Sequence, residues 1–511
     1  MSITSFQFLI FFLLSIAIYY AIPKRFQWCA LLIFSACFFV LSSTLYTGIY
    51  LVISIVTTTI CAVKIGKSKE ANSNKSAKIF LFLGIVLNIG ILAVLKYSNF
   101  LIVNFNIISL ITGNDIRFGK TSFLSPMGIS FYSMIIVGYL LDCYWGISDI
   151  QKNFFKTALF IGYYPQLTSG PVTRYNDVNK QLYESHSFDW KSVTFGMQRM
   201  LWGVFKKLVI SAKIGVLVDT IYADTLTYDG LYIWFAALAF MLQLYTDFSG
   251  CMDIIIGASQ CYGIILPENF RTPFFSRSVQ EYWQRWHITL GSWLKDYILY
   301  PILRSGAWRN LNKWTKNHFG KKAAKQLPSY LGMLCVWLLI GLWHGGSWKY
   351  IIGMGIWFWL CIVLAQVLDP LFKKIIRYMK INTVSFSWHL FQSLRVFVLV
   401  SIGNMFFRLN SLREAVTTIK IGFSHWNPEI FFDGSLYKLG LSEKDFRLTL
   451  FCLLILLFVS VLQEKESIRE RLAKQNLVFR WIVLFVLIFS IVLFGMYGPG
   501  YDAQSFIYEG F

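Results

Sequence analysis

Charge is scarce in this chain. Of its 511 residues only 14% are Asp, Glu, Lys or Arg, where soluble domains carry about 25%. Acid is scarcer still: 26 acidic residues stand against 47 basic ones, a formal net charge of +21. A soluble protein of this size could not cover its surface with so few charges. The balance excludes a cytosolic globular enzyme, a disordered chain and a disulfide-stapled secreted scaffold. Nine cysteines are present, but none forms a CxxC pair and nearly all sit in apolar runs, as small buried hydrophobes do. The chain has no P-loop, no HExxH and no GxSxG nucleophile elbow. It also has no internal repeat and no low-complexity tract.

What it has is apolar length, with 56% hydrophobic residues. A bilayer core is about 30 Å thick and takes about 20 apolar residues to cross as a helix. Residues 6–22 lack a basic flank and a small-residue cleavage site, so they read as a retained span and not as a signal peptide. Residues 26–63 carry no charge at all, room for two tight spans. Further apolar segments cover 79–95, 100–112, 124–145, 154–167, 200–218, 231–245, 330–342, 350–368, 386–407, 448–462 and 481–497. The stretches near Pro165 and around Asp247 are expected to be broken or re-entrant, which lipid permits only where protein satisfies the backbone. The expected fold is an all-α polytopic membrane protein of roughly 10–13 spanning helices plus some partial ones. It is read as one integral-membrane unit.

Basic residues cluster between these segments. Residues 64–78 carry five lysines against Glu70, 301–328 carry seven basic residues and no acid, and 373–380 and 469–480 are further basic runs. Cytoplasmic loops of membrane proteins are enriched in this way, facing anionic lipid and not nucleic acid. All four runs are therefore expected inside, as solvated loops, with both termini outside. Arg408 and Arg413 then fall on the outer side and fit less well.

Ionisable groups inside apolar segments are costly, which makes each a functional candidate. Gly341-Leu342-Trp343-His344-Gly345-Gly346-Ser347-Trp348 lies between two apolar runs whose outer flanks are both basic, the pattern of a helical hairpin with His344 at its tip. Fourteen residues from Tyr330 to His344 amount to about 21 Å of helix, roughly two-thirds of the way across. A neutral imidazole there can accept a hydroxyl proton; it could also be packing glue between helices. A second cluster runs Leu266-Pro267-Glu268-Asn269-Phe270-Arg271, then Glu281-Tyr282-Trp283-Gln284-Arg285-Trp286-His287, then Trp293-Leu294-Lys295-Asp296-Tyr297. Helical spacing would put Trp283, Trp286 and His287 on one face, and an interfacial amphipathic helix explains the tryptophans better than the His and Arg among them. Without Cys or carboxylate ligands in the same motifs, His344 and His287 are not read as a metal site.

Taken together, these motifs resemble the membrane-bound O-acyltransferase (MBOAT) family, in its alginate O-acetylation branch. The resemblance is carried by Met127-Gly128-Ile129-Ser130-Phe131-Tyr132, by Pro165-Gln166-Leu167 with Gly170-Pro171, and by Tyr245-Thr246-Asp247-Phe248-Ser249-Gly250. It continues through 266–270, 283–297 and 341–347, in the right order over nearly the whole chain, with Phe506-Ile507-Tyr508 and Phe511 at the end. Cys251 departs from the pattern, where an aromatic is more usual. The resemblance implies a catalytic core over about 120–370 and a transmembrane extension over about 386–511. It implies that His344 is the catalytic histidine and His287 the supporting one; Trp343, Trp286, Arg285, Asn269 and Asp247 join them as candidates lining the substrate path.

The implied activity is acyl transfer from a cytoplasmic thioester, acetyl-CoA, to a hydroxyl acceptor, for O-acetylation of an extracellular polysaccharide at a bacterial cell membrane. The coenzyme enters as donor substrate and no bound cofactor is implied. Relatives work with a secreted or anchored SGNH-type partner that completes transfer to the sugar. Competing readings are D-alanyl transfer to teichoic acid from a carrier-protein thioester, a transporter or flippase, and a non-enzymatic scaffold.

Overall fold

A computed structural model describes residues 1–114, 116–498 and 507; the expected resemblance at Phe506, Tyr508 and Phe511 lies outside the described residues. Among the described residues the chain is helical apart from a single antiparallel bridge between Phe270 and Trp286. Among the described residues nine helices are long and apolar enough to cross a membrane, and two shorter apolar helices, Phe6–Ala21 and Ile129–Trp145, accompany them. The chain is a multi-pass all-α membrane protein. Its Leu477–Phe494 helix has no buried residue, an arrangement that only lipid makes favourable for eighteen mostly apolar positions.

Several expected boundaries move. Segments 79–95 and 100–112 belong to one helical run, Asn74–Ile111, with a π turn at Ala93–Tyr97. The basic run at 64–78 is not a loop: one helix continues to Glu70 and the next starts at Asn74. The run at 301–328 is also mostly helix, Gly306–Gly345, kinked at Gly320 (φ 81°, ψ 176°). Both helices outlast their apolar stretches, Gly48–Glu70 at its end and Gly306–Gly345 at its start, since charge in water does not oppose helix formation. Around Asp247 the expected break is absent. Leu231–Cys261 is one continuous helix, Asp247 being paired with Lys207 and not accommodated by unwinding.

The chain divides into two compact units. The first comprises Met1–Val204 and Cys251–Glu268. Here the expected break at Pro165 is present. A helix ends at Gly162, and a single turn, Tyr164–Leu167, follows. The amide of Tyr164 donates to Ser35 Oγ (3.1 Å), and Gln166 Nε2 donates to the Phe160 carbonyl (3.0 Å). These are the substitute partners a broken helix needs away from water. The turn packs against the Met127–Tyr132 motif so closely that a Cβ at Gly128 would sit 1.8 Å from the Leu167 carbonyl oxygen.

The second unit comprises Phe205–Gly250 and Asn269–Tyr501 and holds both candidate histidines. Arg408, the outlier of the charge pattern, pairs with Asp219 at 2.5 Å, which removes much of the cost of its position.

Candidate active site

The hairpin expected at 330–368 forms within the second unit. Gly306–Gly345 runs to Gly346, which closes it in the left-handed conformation (φ 55°, ψ 50°), and Trp348 begins the return helix. Gly346 N–H donates to the Leu342 carbonyl at 3.0 Å, the single-bond left-handed cap that glycine permits. Gly341 and Gly345 share the face turned to the return helix. A Cβ at Gly341 would lie 2.7 Å from Ile351 Cα, and one at Gly345 would lie 2.4 Å from the Tyr350 ring. The bare backbone is thus what lets the two arms meet.

His344 occupies the last turn of that helix and is only 3% exposed. Its ring meets Phe407 edge-on (centroids 5.6 Å apart, 84°), with Tyr350 at 6.5 Å. Phe407 is brought there by Lys349, whose ammonium donates to the Leu409 carbonyl at 2.6 Å and so caps the end of the Phe386–Arg408 helix. On the other side lies the indole of Trp343, 4.9 Å from the His344 ring. That indole also contacts His287, at 6.2 Å. The two imidazoles share one aromatic neighbour.

His287 is reached by a different construction. The Val279–Arg285 helix stops at Arg285, Trp286 is extended, and His287 is left-handed (φ 48°, ψ 51°). Trp283, Trp286 and His287 therefore do not share a helical face, a correction to the spacing argument. Backbone pairing overrides helix there: Arg271 N–H donates to the Arg285 carbonyl (2.9 Å) and Ile288 N–H to the Asn269 carbonyl (3.0 Å), on either side of the Phe270–Trp286 bridge. Left-handed backbone at a residue with a Cβ costs about 1–3 kcal/mol and persists only where the surroundings impose it.

The same segment fixes the ring. Asn269 Oδ1 accepts from the Thr289 backbone N–H (3.1 Å) and from its hydroxyl (2.9 Å), which identifies that atom as oxygen. It also lies 3.1 Å from His287 Nδ1, so Nδ1 must carry the proton and Nε2 the lone pair of the neutral ring. Burial pushes the His287 imidazole below its ordinary pKa, favouring that neutral form. Phe248 stands edge-on to the ring at 4.9 Å and 87°.

The other candidates separate by their contacts. Asn269 and Trp343 touch the histidines directly. Trp286 is a buried packing centre, with Phe270 edge-on at 4.9 Å and Tyr282 stacked at 5.5 Å. Arg285 meets Glu281 (2.9 Å), Glu464 (2.8 Å) and Thr272 (3.3 Å), fastening the end of a later helix. Asp247, next to Phe248, is fully buried and paired with Lys207. Beside that pair Lys206 donates to Ser249 Oγ at 2.8 Å and lies over the Tyr245 ring. Reading 200–218 as a plain apolar segment passes over Lys206 and Lys207. Two adjacent lysines in mid-segment are the signal that marks them.

With this geometry in view, the comparisons with known proteins bear on it directly. The model of the MBOAT, membrane-bound O-acyltransferase, family matches residues 148–310, a span that holds Asp247, Asn269 and His287 and ends before His344. A protein named "Probable alginate O-acetylase AlgI" from Azotobacter vinelandii is 32% identical over 415 residues, 80% of this chain and 75% of that protein. A peptidoglycan O-acetyltransferase from Helicobacter pylori is 27% identical over 56% of this chain and 55% of its own. A teichoic acid D-alanyltransferase from Bacillus subtilis is 26% identical over 45% of this chain and 56% of its own.

Proposed function

We propose that this chain, which belongs to the membrane-bound O-acyltransferase family, moves an acetyl group from a cytoplasmic thioester, acetyl-CoA, for O-acetylation of an extracellular polysaccharide. That it is a membrane O-acyltransferase is the premise; donor, acceptor and residue roles are the proposal. The observation that carries it is the pair of buried imidazoles, His344 at a hairpin tip and His287 in a strained, hydrogen-bonded segment, both against Trp343.

In this mechanism His344 takes the proton of an acceptor hydroxyl as general base. The oxygen attacks the thioester carbonyl, forming the C–O bond of a tetrahedral intermediate, which collapses to the ester as the C–S bond breaks. The thiolate leaves with the proton that His344 returns. His287, its Nδ1–H committed to Asn269, positions the acceptor through Nε2. Buried, preorganised groups need no rearrangement as charge develops.

The acceptor is a hydroxyl on the outer side, and the acetyl group is then passed to the polymer through a secreted or anchored SGNH-type partner. The alginate- and peptidoglycan-acetylating relatives support a glycan acceptor. D-alanyl transfer from a carrier protein is the second reading, favoured only by the shorter match to the teichoic acid enzyme. Deleting the gene and measuring which surface polymer loses ester groups tests the proposal. Acetyl esters should fall and return with the wild-type gene; alanyl esters falling instead would establish the second reading. Restoration by a well-expressed His344→Ala gene would refute the assignment of the base. His287→Ala should leave a small residue of activity, and wild-type rates would remove it from the site.

A further inference from the structure

Beyond the hairpin, the Asp369–Tyr378 helix is amphipathic and none of its residues is buried. Helical spacing gathers Leu371, Phe372, Ile375 and Tyr378 on one side and Lys373, Lys374 and Arg377 on the other. Tyr378 is 88% and the following Met379 63% exposed. A short basic helix with a bare apolar face settles in the plane of a membrane interface, apolar side toward the acyl chains. The positive-inside rule puts this interface on the cytoplasmic side.

Beside the helix lies a groove of about 840 Å³ lined by Arg277, Lys373, Arg377, Lys380 and His389, with Asp369 the single carboxylate among its lining residues. Asp369 is already engaged by Lys373, at 2.7 Å, so the groove keeps a surplus of positive charge. Two features show that it is built. Lys380 is left-handed, at φ 51°, where glycine or asparagine would cost less; a long cation is held there nonetheless, by Lys380 N–H to the Arg377 carbonyl (3.2 Å) and Ile381 N–H to the Ile376 carbonyl (3.0 Å). Facing it, Arg277 comes from the segment that leads into the Val279–Arg285 helix. Its carbonyl accepts from Arg395 at 3.1 Å, and its amide donates to Glu281 Oε2 at 2.8 Å.

The geometry points to a binding site for a phosphate group in this groove, presented by an anionic lipid headgroup or by a free coenzyme. Two guanidiniums, Arg277 and Arg377, and the Lys380 ammonium line one concavity, with Lys373 paired to Asp369 at its edge, a set of donors that suits phosphate oxygens. The exposed apolar face next to them suits a headgroup whose acyl chains lie in the same leaflet. Of the lining residues, Arg277 lies ten positions before His287 in the chain, and the test reads binding and not acyl transfer.

The test uses full-length protein in phosphatidylcholine nanodiscs, with added phosphatidylglycerol and added coenzyme A as separate probes. A variant carrying Lys373→Gln, Arg377→Gln and Lys380→Gln should bind at least one probe about tenfold or more weakly, since each basic group near a membrane surface contributes a severalfold factor. Lys313→Gln, Lys316→Gln and Lys321→Gln together make the same charge change elsewhere and should leave binding within about twofold. Loss confined to phosphatidylglycerol identifies the lipid, and loss confined to coenzyme A identifies the coenzyme. Unchanged binding of both probes, or equal loss in the control variant, overturns the site. Lys380→Gly guards against misfolding: it removes one charge while suiting the left-handed turn, and it should fold normally yet weaken the same probe severalfold.

Discussion

The two buried histidines are held by opposite means. His344 is placed by regular structure: a long helix delivers it to a tip, and Gly341, Gly345 and Gly346 let the return arm close against it. His287 is placed by the interruption of regular structure, in a left-handed residue between a helix end and a backbone bridge, with its ring tied to Asn269. In the first case position comes from what is missing, the side chains of glycines. In the second it comes from what is added, a dense set of hydrogen bonds that offsets local strain. Steric additions should therefore damage the first region, and lost polar partners the second.

Asn269→Ala should do the most harm. It leaves two N–H donors, His287 Nδ1 and the Thr289 amide, without their shared acceptor, at about 1–3 kcal/mol each when buried. Thermal unfolding of the purified protein should show a clear drop, with acyl transfer reduced in the fraction that remains folded; an unchanged midpoint would mean the bonds do not hold the ring. Gly345→Ala should cost about 1–3 kcal/mol by overpacking against Tyr350, and repacking without loss would show that the tip is looser than its contacts imply. At position 287, Asn tolerates left-handed backbone and a β-branched residue does not. His287→Asn should therefore be more stable than His287→Val by about 1–2 kcal/mol, although both lose activity. Equal stabilities would mean the segment relaxes on substitution. Arg285→Gln should do least: its ion pairs lie at the edge of the protein, and such pairs contribute about 0.2–1 kcal/mol. Transfer rates should stay within about twofold, and a large fall in kcat would draw Arg285 into the site.

The same contrast governs what could be read from sequence. The hairpin was legible because its evidence is one-dimensional: two apolar runs, basic flanks, and a rise per residue that carries His344 to the far end. The break at Pro165 was legible for a similar reason, since proline and glycine punctuate locally. His287 was legible as a residue but not as a conformation. Trp283, Trp286 and His287 have helical spacing, but the pairing of 269–271 with 285–288 ends the helix at Arg285, between Trp283 and the other two. Asp247 misled in the other direction. A carboxylate in an apolar run suggests a break, but Lys207 pairs with it from another helix and the Leu231–Cys261 helix runs on. Partners distant in sequence decided both cases. The basic runs at 64–78 and 301–328 were correctly seen as distinct from the apolar segments and wrongly seen as loops, because composition marks the edge of the apolar run and not the end of the helix.

The central claim, that the His344 imidazole moves the acceptor's proton, is tested most directly by consumption of acetyl-CoA by purified protein in nanodiscs, wild type against His344→Ala at matched folded concentration. Loss of general-base catalysis should slow acyl transfer by on the order of 10²–10⁴-fold while the unfolding midpoint stays close to that of the wild type. A variant that consumes the thioester at the wild-type rate would contradict the account.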